Sequence, residues 1–410
     1  MATVISTRKF VYTSVGENSN KFWNVTLFDN GDVETRWGRV GEPGQSKMFP
    51  SVGMGFVDKK VREKLGKGYK EFDEVGTSSH IPVMGAHLKE VAVKQIKHDP
   101  LFSSLIDKLV KENKHNILGN TSLSFSESTG LFSTPLGVVT PSNVVRARNL
   151  LVSIGGYISG TKQMNSWEIN SLIEEYMMLV PQDIGRKRLT IEEVFPSIHS
   201  VRRQSDVLDS LDASLQMSPV DTPKDFESVF DVELSAASSK DVRKIEKMFR
   251  DTMRAGHESS RLRVARVFSV DIRQARERFV GPDNIRVLWH GTRVGNILSI
   301  LRSGLIIPPE SASHCTGRMY GNGVYGSDIS TKSLNYSYGY WDGGRRDSNC
   351  YMFVAEFAMG REYIPGSGPY PKRGYDSTFA RGGSTGVINN EMIVYQTNRV
   401  NLTHLVEFEG

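Results

Sequence analysis

The sequence predicts an α+β chain of several domains. A small β-rich domain comes first, an all-α stretch follows, and a mixed α+β domain with antiparallel sheets ends the chain. Three observations predict this. Residues 1–76 hold strand-like runs around a strong hairpin turn. Residues 101–217 carry apolar side chains at helical spacing, and residues 224–410 hold many short apolar runs broken by turn residues. A length of 410 residues accommodates two or three such domains.

In the first domain, Phe22 to Phe28 reads as a strand and Val33 to Gly41 as its return. Asp29-Asn30-Gly31-Asp32 between them is a turn, because Asn-Gly accepts positive φ. Val57, Val61 and Leu65 are spaced for one helix face. Lys59, Lys60, Arg62, Lys64, Lys67 and Lys70 surround that helix, either as a solvated face or as a phosphate-contacting patch.

Residues 77–100 read as a linker. Leu101, Leu105 and Leu109 begin the helical stretch. Thr140-Pro141-Ser142 opens a helix with Val144, Val145, Leu150, Leu151 and Ile154 apolar. Leu172, Ile173, Tyr176 and Leu179 form a further stripe that stops before Pro181. Ser218-Pro219-Val220-Asp221-Thr222-Pro223 is a linker by its prolines.

The last domain carries the chemistry. Runs at 230–234, 264–268, 352–357 and 393–395 read as strands. Ile285 to Trp289 is another, ending in His290-Gly291-Thr292, where glycine lets a ligand approach the backbone. Val294, Ile297, Leu298 and Leu301 predict a helix that stops at Gly304. Next come Pro308-Pro309, a polar loop, Tyr320 to Gly326, and Ser330 to Tyr336 as a capped helix start. Aromatic faces with small hydroxyls and glycine backbone suit a flat heterocycle carrying an amide. Gly321, Gly323 and Gly326 match a dinucleotide-binding glycine pattern, but a loop precedes them where that motif needs a strand.

Composition narrows the classes. Hydrophobic residues make up 38% and charged residues 24%, so the chain is globular rather than disordered. A net charge of +5 permits a nucleic-acid partner. Two cysteines, Cys315 and Cys350, cannot build a zinc site unaided and suggest no disulfide framework, so a reducing compartment is expected. The first residues lack the apolar core of a signal peptide, and no run approaches a membrane span. The expectation is an intracellular protein, nuclear if eukaryotic and cytoplasmic if prokaryotic or viral. No metal and no membrane partner is expected.

His-Gly-Thr at 290–292, Gly-Asn-Gly-Val-Tyr at 321–325 and Lys-Ser-Leu-Asn-Tyr at 332–336 are followed by Asn390-Glu391-Met392-Ile393-Val394-Tyr395. In that order these blocks resemble the catalytic domain of poly(ADP-ribose) polymerases. Trp37-Gly38-Arg39 resembles the signature of the WGR domain that accompanies it in DNA-dependent members. Pro135-Leu136-Gly137 and Leu179 to Gly185 resemble the family's regulatory helical domain, whose last helix, here around Val207-Leu208-Asp209, lies over the NAD+ pocket.

The resemblance implies a WGR domain at 1–76, a helical regulatory domain at 101–217 and an ADP-ribosyltransferase domain at 224–410. It implies cleavage of the nicotinamide–ribose bond of NAD+, which is consumed as substrate, with no cofactor. Glu391, His290 and Tyr325 would be catalytic. Gly291, Thr292, Asn296, Ser333 and Tyr336 would hold NAD+. Trp37, Arg39, Lys59 and Lys60 would meet DNA, and Asp209 would be regulatory. Acceptors would be proteins, itself included, or DNA ends.

Departures from the family pattern are Met392 in place of Tyr, Gly326-Ser327 in place of Phe-Ala, a shorter loop between Arg361 and Asn390, and a Ser/Thr-rich stretch at 119–133 where helix is expected. Mono-transfer and chain growth both stay open. The alternatives are a DNA-end adaptor with little catalysis, a redox enzyme using the glycine loop, and a stand-alone toxin-like transferase.

Overall fold

The computed structural model describes residues 2–14, 19–40, 42–71, 96–126, 131–134, 137–182, 190–217, 230–280, 283–307, 319–340, 346, 349–365, 370–383 and 387–410. The linker at 218–223, most of 77–100, Pro135-Leu136, residues 183–185, Pro308-Pro309 and Cys315 lie outside the described residues. Two compact units emerge, one of residues 1–85 with 117–208 and one of residues 86–116 with 209–410. The helical stretch expected over 101–217 is therefore divided between them.

In the first unit, β1 (Val4–Ser14), β2 (Ser19–Phe28), β3 (Val33–Arg39), β4 (Gln45–Phe49) and β5 (Lys70–Glu71) form one antiparallel sheet in the order β4-β3-β2-β1-β5. Gly31 has φ 81°, as the turn requires, and Asp32 seals it by bonding the Ser51 N–H. Helix α1 (Gly53–Leu65) covers one sheet face with Val57 and Val61, against Phe10, Trp23, Val25 and Val33. Leu65, the last residue of the helix, is exposed.

Helix α2 (Ser103–Asn120) follows β6 (Lys97–His98) and runs from the second unit into the first. The Ser/Thr-rich stretch after it is not helix. It forms a small sheet from β7 (Ser124–Ser126), β8 (Leu131–Thr134) and β9 (Gly137–Val138). Phe125 packs on Phe132 with ring centroids 4.8 Å apart, and β-favouring Thr, Ser and Phe outweigh helix there. Helix α3 (Pro141–Ile158) opens on a Thr140 capping box, and α4 (Ser166–Leu179) on one from Asn165. Val145, grouped with the apolar face of α3, is 60% exposed. The short α5 (Ile191–Val194) leads to α6 (Ile198–Met217), which again spans both units.

The second unit is built on a six-stranded sheet in the order β12-β14-β18-β11-β10-β6. Its members after β6 are β10 (Val232–Ala236), β11 (Arg263–Ile272), β12 (Ile285–Gly291), β14 (Asn349–Ala358) and β18 (Val400–Glu409). All pairs are antiparallel except β6 with β10. A second sheet runs β13-β17-β16-β15, from β13 (Val324–Gly326), β15 (Glu362–Tyr363), β16 (Ser377–Ala380) and β17 (Glu391–Val394), with β15 and β16 parallel. Helices α7 (Ser239–Thr252), α8 (Arg273–Arg278), α9 (Val294–Ser303) and α10 (Ser330–Tyr338) complete it. Gly304 ends α9 with φ 71°.

The main core joins Phe268, Leu288, Ile297, Leu301, Phe353, Phe357 and Leu405. Ile96, Leu105, Ile106 and Leu109 of the β6–α2 segment belong to the same core, which explains why residues 86–116 cluster with the C-terminal domain. No helix among the described residues is long and apolar enough to cross a membrane.

Candidate active site

Strand β12 carries His290 one residue before its end at Gly291. The His290 ring Nδ1 lies 2.9 Å from the backbone carbonyl of Tyr325. A carbonyl only accepts, so Nδ1 carries a proton and donates it there, which leaves Nε2 turned away from this contact. Gly291 follows. A Cβ there would stand 1.8 Å from the Ser333 backbone oxygen, so only glycine lets α10 cross the strand end. Ser333 is buried and its hydroxyl donates to the Trp289 carbonyl at 3.1 Å. The Thr292 N–H donates to Ser337 Oγ, and Asn296, on the first turn of α9, donates to the Thr292 hydroxyl at 3.4 Å.

The second sheet delivers the other groups. Tyr325 pairs with Ile393 across β13 and β17. Glu391 is two residues before Ile393, so Glu391 and Tyr325 project from the same sheet face. The Tyr325 hydroxyl donates to the Gly321 carbonyl at 2.9 Å and accepts from the Tyr320 N–H. Met392 points the other way, into the main core, which accounts for an apolar residue where the family has Tyr. Gly326 packs so tightly on Phe357 and Leu288 that a Cβ would meet Phe357 at 2.8 Å; the usual Phe does not fit here.

The three glycines of 321–326 serve packing, not a phosphate turn. Gly321 has φ 83° and lies against Tyr370, while a Cβ on Gly323 would meet Ile393 and the Val394 carbonyl at 2.6 Å. The segment runs into β13 rather than into a helix, which removes the dinucleotide-fold reading of the loop.

Several residues that hold the site escaped sequence reasoning. Lys332 Nζ is 2.6 Å from Glu391 Oε1, both side chains being largely buried. Burial pushes the Lys332 ammonium below the ordinary lysine range, while Glu391 and Asp328 pull it back up. Ser327 exchanges backbone hydrogen bonds with Trp289, and its hydroxyl donates to the Asn390 carbonyl at 2.8 Å. Asn390 Nδ2 donates to Asp328. Ser327 thus fastens the neighbour of His290 to the neighbour of Glu391. Lys332 stood in the quoted Lys-Ser-Leu-Asn-Tyr block, so its position was a usable signal; the Ser327 bridge had none.

Helix α10 lacks the side-chain N-cap expected at its start. Ser330 instead donates to the Phe249 carbonyl, and Thr331 receives the Arg254 N–H and faces His257 Nδ1 at 2.9 Å. These bonds from α7 and the loop after it fix the helix that carries Lys332, Ser333 and Tyr336. Tyr336 is 44% exposed at the open side of that helix.

Helix α6 reaches the same neighbourhood through residues after Asp209. The carbonyl of Gly295, beside Asn296, accepts from Asn113 Nδ2 and Ser210 Oγ, both at 3.3 Å. Ser214 donates to Asn113 Oδ1, and Asp212 pairs with Arg302 of α9. Asn113, Ser210 and Ser214 are fully buried, a polar joint inside an otherwise apolar contact.

The four DNA candidates lie on two elements of the first unit, Trp37 and Arg39 on β3 and Lys59 and Lys60 on α1. Trp37 pairs across β3 and β2 with Trp23, and Arg39 with Lys21 at the strand end. Trp37 packs against the cluster that includes Val57 and Val61 of α1, the helix that carries Lys59 and Lys60. Lys59 is exposed, whereas Lys60 is paired with Glu63 at 2.8 Å.

Residues 239–382 match the poly(ADP-ribose) polymerase catalytic domain, and residues 7–75 match the WGR domain. The chain is 27% identical over 420 residues to the protein mono-ADP-ribosyltransferase PARP3 of Mus musculus, which covers 90% of this chain and 76% of that protein. It is 25% identical over 373 residues to the poly [ADP-ribose] polymerase 2 of Zea mays, covering 80% of this chain and 54% of the relative. It is 24% identical over 453 residues to the poly [ADP-ribose] polymerase 1 of Danio rerio, covering 95% and 43%. The chain thus spans about three quarters of the first and about half of the other two. Residues 76–238 fall in neither domain match.

Proposed function

We propose that this chain, whose residues 239–382 and 7–75 match the poly(ADP-ribose) polymerase catalytic domain and the WGR domain, is a poly(ADP-ribose) polymerase family member that transfers ADP-ribose from NAD+ to proteins, itself included, or to DNA ends, releasing nicotinamide in response to DNA breaks. The observation that carries this reading is the convergence of His290, Tyr325 and Glu391 through the Tyr325 carbonyl and the β13–β17 register.

The chemistry follows from the groups present. The bond from the ribose C1′ to the nicotinamide nitrogen breaks, and the pair leaves with nicotinamide. Positive charge spreads over C1′ and the ring oxygen, as in glycoside hydrolysis. Glu391, held by Lys332, presents one carboxylate oxygen to a ribose hydroxyl and stabilises that charge. The acceptor oxygen bonds C1′ and gives its proton to Glu391. Gly291 backbone and the Ser333 hydroxyl bind the carboxamide, Tyr336 and Tyr325 flank the ring, and His290 Nε2 with Thr292 and Asn296 takes the adenosine-side ribose.

The other assignments rest on the same reading. Trp37 and Arg39, with Lys59 and Lys60, contact the broken DNA end, the Trp by stacking and the cations on phosphate. Helix α6, including Asp209, is regulatory; the buried joint to the Gly295 carbonyl supports this, because it links that helix to the pocket residue Asn296. We keep a WGR module at 1–76, a helical module at 101–217 and a transferase module at 224–410 as functional divisions. Action on chromosomal breaks implies a nuclear site; the relatives named above are animal and plant proteins.

The test is NAD+ labelled on the adenylate. Label appearing on protein or DNA with matching nicotinamide release, and no NADH absorbance, supports transfer. NADH formation with any small substrate contradicts it.

A further inference from the structure

We propose that helix α7 carries a binding row for the phosphate backbone of duplex DNA, on the transferase domain and separate from the contact assigned to Trp37 and Arg39. The inference does not rest on the transferase reading.

Lys240, Arg243, Lys244, Lys247 and Arg250 of α7 are all exposed. At about 100° of turn per residue, the five fall within about 120° of the helix circumference. Ile245 and Phe249 lie on the opposite face, buried with Trp289 and Phe408. The carboxylates of the helix leave the first three cations unpaired. Asp241 takes the Ser238 hydroxyl at 2.6 Å. Glu246 stands 3.9 Å from Arg250, and Asp251 pairs with Lys247. Among the described residues no carboxylate lies within ion-pair distance of Lys240, Arg243 or Lys244.

This arrangement is unfavourable for the helix alone. Lys240 stands three or four residues from Arg243 and Lys244, Lys247 the same from both, and Arg250 three from Lys247. Like charges are therefore neighbours along the surface, which costs helix stability. Lys240 also sits in the first turn, at the positive end of the helix dipole, where a carboxylate is favoured. A merely solvated face mixes signs at this spacing. A row of one sign fits a polyanionic ligand that offsets the repulsion.

The row is rigidly held and of suitable length. Phe249 packs on Trp289 and Phe408 with ring centroids 6.1 and 5.0 Å apart, and its carbonyl takes the Ser330 hydroxyl at 2.9 Å. From Lys240 to Arg250 the helix rises about 15 Å. One strand of a duplex carries a charge per about 3.4 Å of axis, so about four phosphates lie along the five cations. The row holds no aromatic ring to stack an unpaired base, which disfavours a single strand. The apolar face of α7 is taken up by the core and is not free for a lipid surface. An acidic peptide brings no fixed charge spacing and must be ordered on binding.

The experiment uses the full chain and a labelled duplex closed by a loop at each end, so that no break is present. Anisotropy is followed in a parent carrying Trp37→Ala and Arg39→Ala. Adding Lys240→Ala, Arg243→Ala and Lys244→Ala is expected to weaken binding by about tenfold and to lower the slope of log K against log salt by about 3. Glu246→Gln with Asp251→Asn, which uncovers Arg250 and Lys247, is expected to tighten binding by about threefold. Arg273→Ala, Arg276→Ala and Arg278→Ala remove the same charge from α8 and are expected to change binding by less than about twofold. The thermal midpoint of the α7 triple variant is expected to hold or rise, because like charges are removed. No duplex binding by the parent, equal binding by the α7 triple variant, an equal loss in the α8 variant, or equal competition from polyglutamate would each overturn the proposal. Stimulation of nicotinamide release by a nicked duplex is a separate readout; its failure sinks the break-response reading and leaves this binding result unchanged.

Discussion

Lys332 Nζ stands 2.6 Å from Glu391 Oε1, and the two side chains are only 12% and 14% exposed. A cation so placed fixes which carboxylate oxygen is left for substrate. Glu391 then works as an oriented anion rather than a mobile strand-edge acid.

Burial lowers the Lys332 pKa, against the pull of Glu391 and Asp328, so the ammonium loses its proton below the ordinary lysine range. Between that point and the ordinary lysine value the unfolded chain binds the extra proton, so this group makes stability rise with pH there. Activity runs the other way, because Glu391 loses its brace. The expected result is an alkaline fall in kcat that begins below the ordinary lysine range. Lys332→Arg should move that fall to higher pH, and Lys332→Met should remove it while lowering kcat by about tenfold to a hundredfold. A pH profile of nicotinamide release in the three proteins checks this; an unchanged alkaline limb in Lys332→Met would refute the assignment.

Gly291→Ala places a methyl 1.8 Å from the Ser333 backbone oxygen, where no side chain can rotate aside. Helix α10 must move, and Ser333 and Tyr336 with it. Displacement of positioning groups by about 1 Å lowers rate by about a hundredfold. Measured kcat/KM for NAD+ should fall by that order with the thermal midpoint only modestly reduced. Full activity would mean that the α10–β12 approach is not needed for binding.

Glu407 tests the core of the same domain. Burial alone would raise its pKa, but hydrogen bonds from Arg266 and Tyr351 hold it below the usual carboxylate range. Its contribution is therefore present above the ordinary carboxylate pKa and lost as pH falls through the lowered value. Tyr351 donates to Glu407 Oε1 at 2.7 Å and Lys108 of α2 stands 3.6 Å away. Tyr351→Phe removes a donor from a buried carboxylate and is expected to cost about 1–3 kcal/mol at neutral pH. Unfolding of wild type and variant across the acid range should show the difference shrinking as Glu407 protonates.

Much of this was legible in the sequence because local rules and tertiary packing agreed. Ile285 to Trp289, with helix 294–303 and its glycine stop, follow periodicity and capping directly. The Asn30-Gly31 hairpin did as well. The unread parts depend on contacts between distant segments. Nothing local in Ser327 shows that it bonds Asn390, 63 residues on. Residues 119–133 kept a helical expectation by resemblance, while Phe125 and Phe132 pair across a hairpin. Leu65 and Val145 had the right spacing but no partner element over them. The share of α2 in the transferase core came from where Leu105 and Leu109 pack, which spacing alone does not tell.

The measurement that bears most directly on the account is nicotinamide release from NAD+ with and without a nicked duplex, in wild type, Glu391→Gln and Arg39→Ala. Wild type should be stimulated by the duplex. Glu391→Gln keeps the shape of the side chain but loses its charge, and should drop by about a hundredfold or more under both conditions. Arg39→Ala should keep its basal rate and lose stimulation. Full release by Glu391→Gln would contradict the proposed active site, and stimulation untouched in Arg39→Ala would contradict the proposed DNA contact.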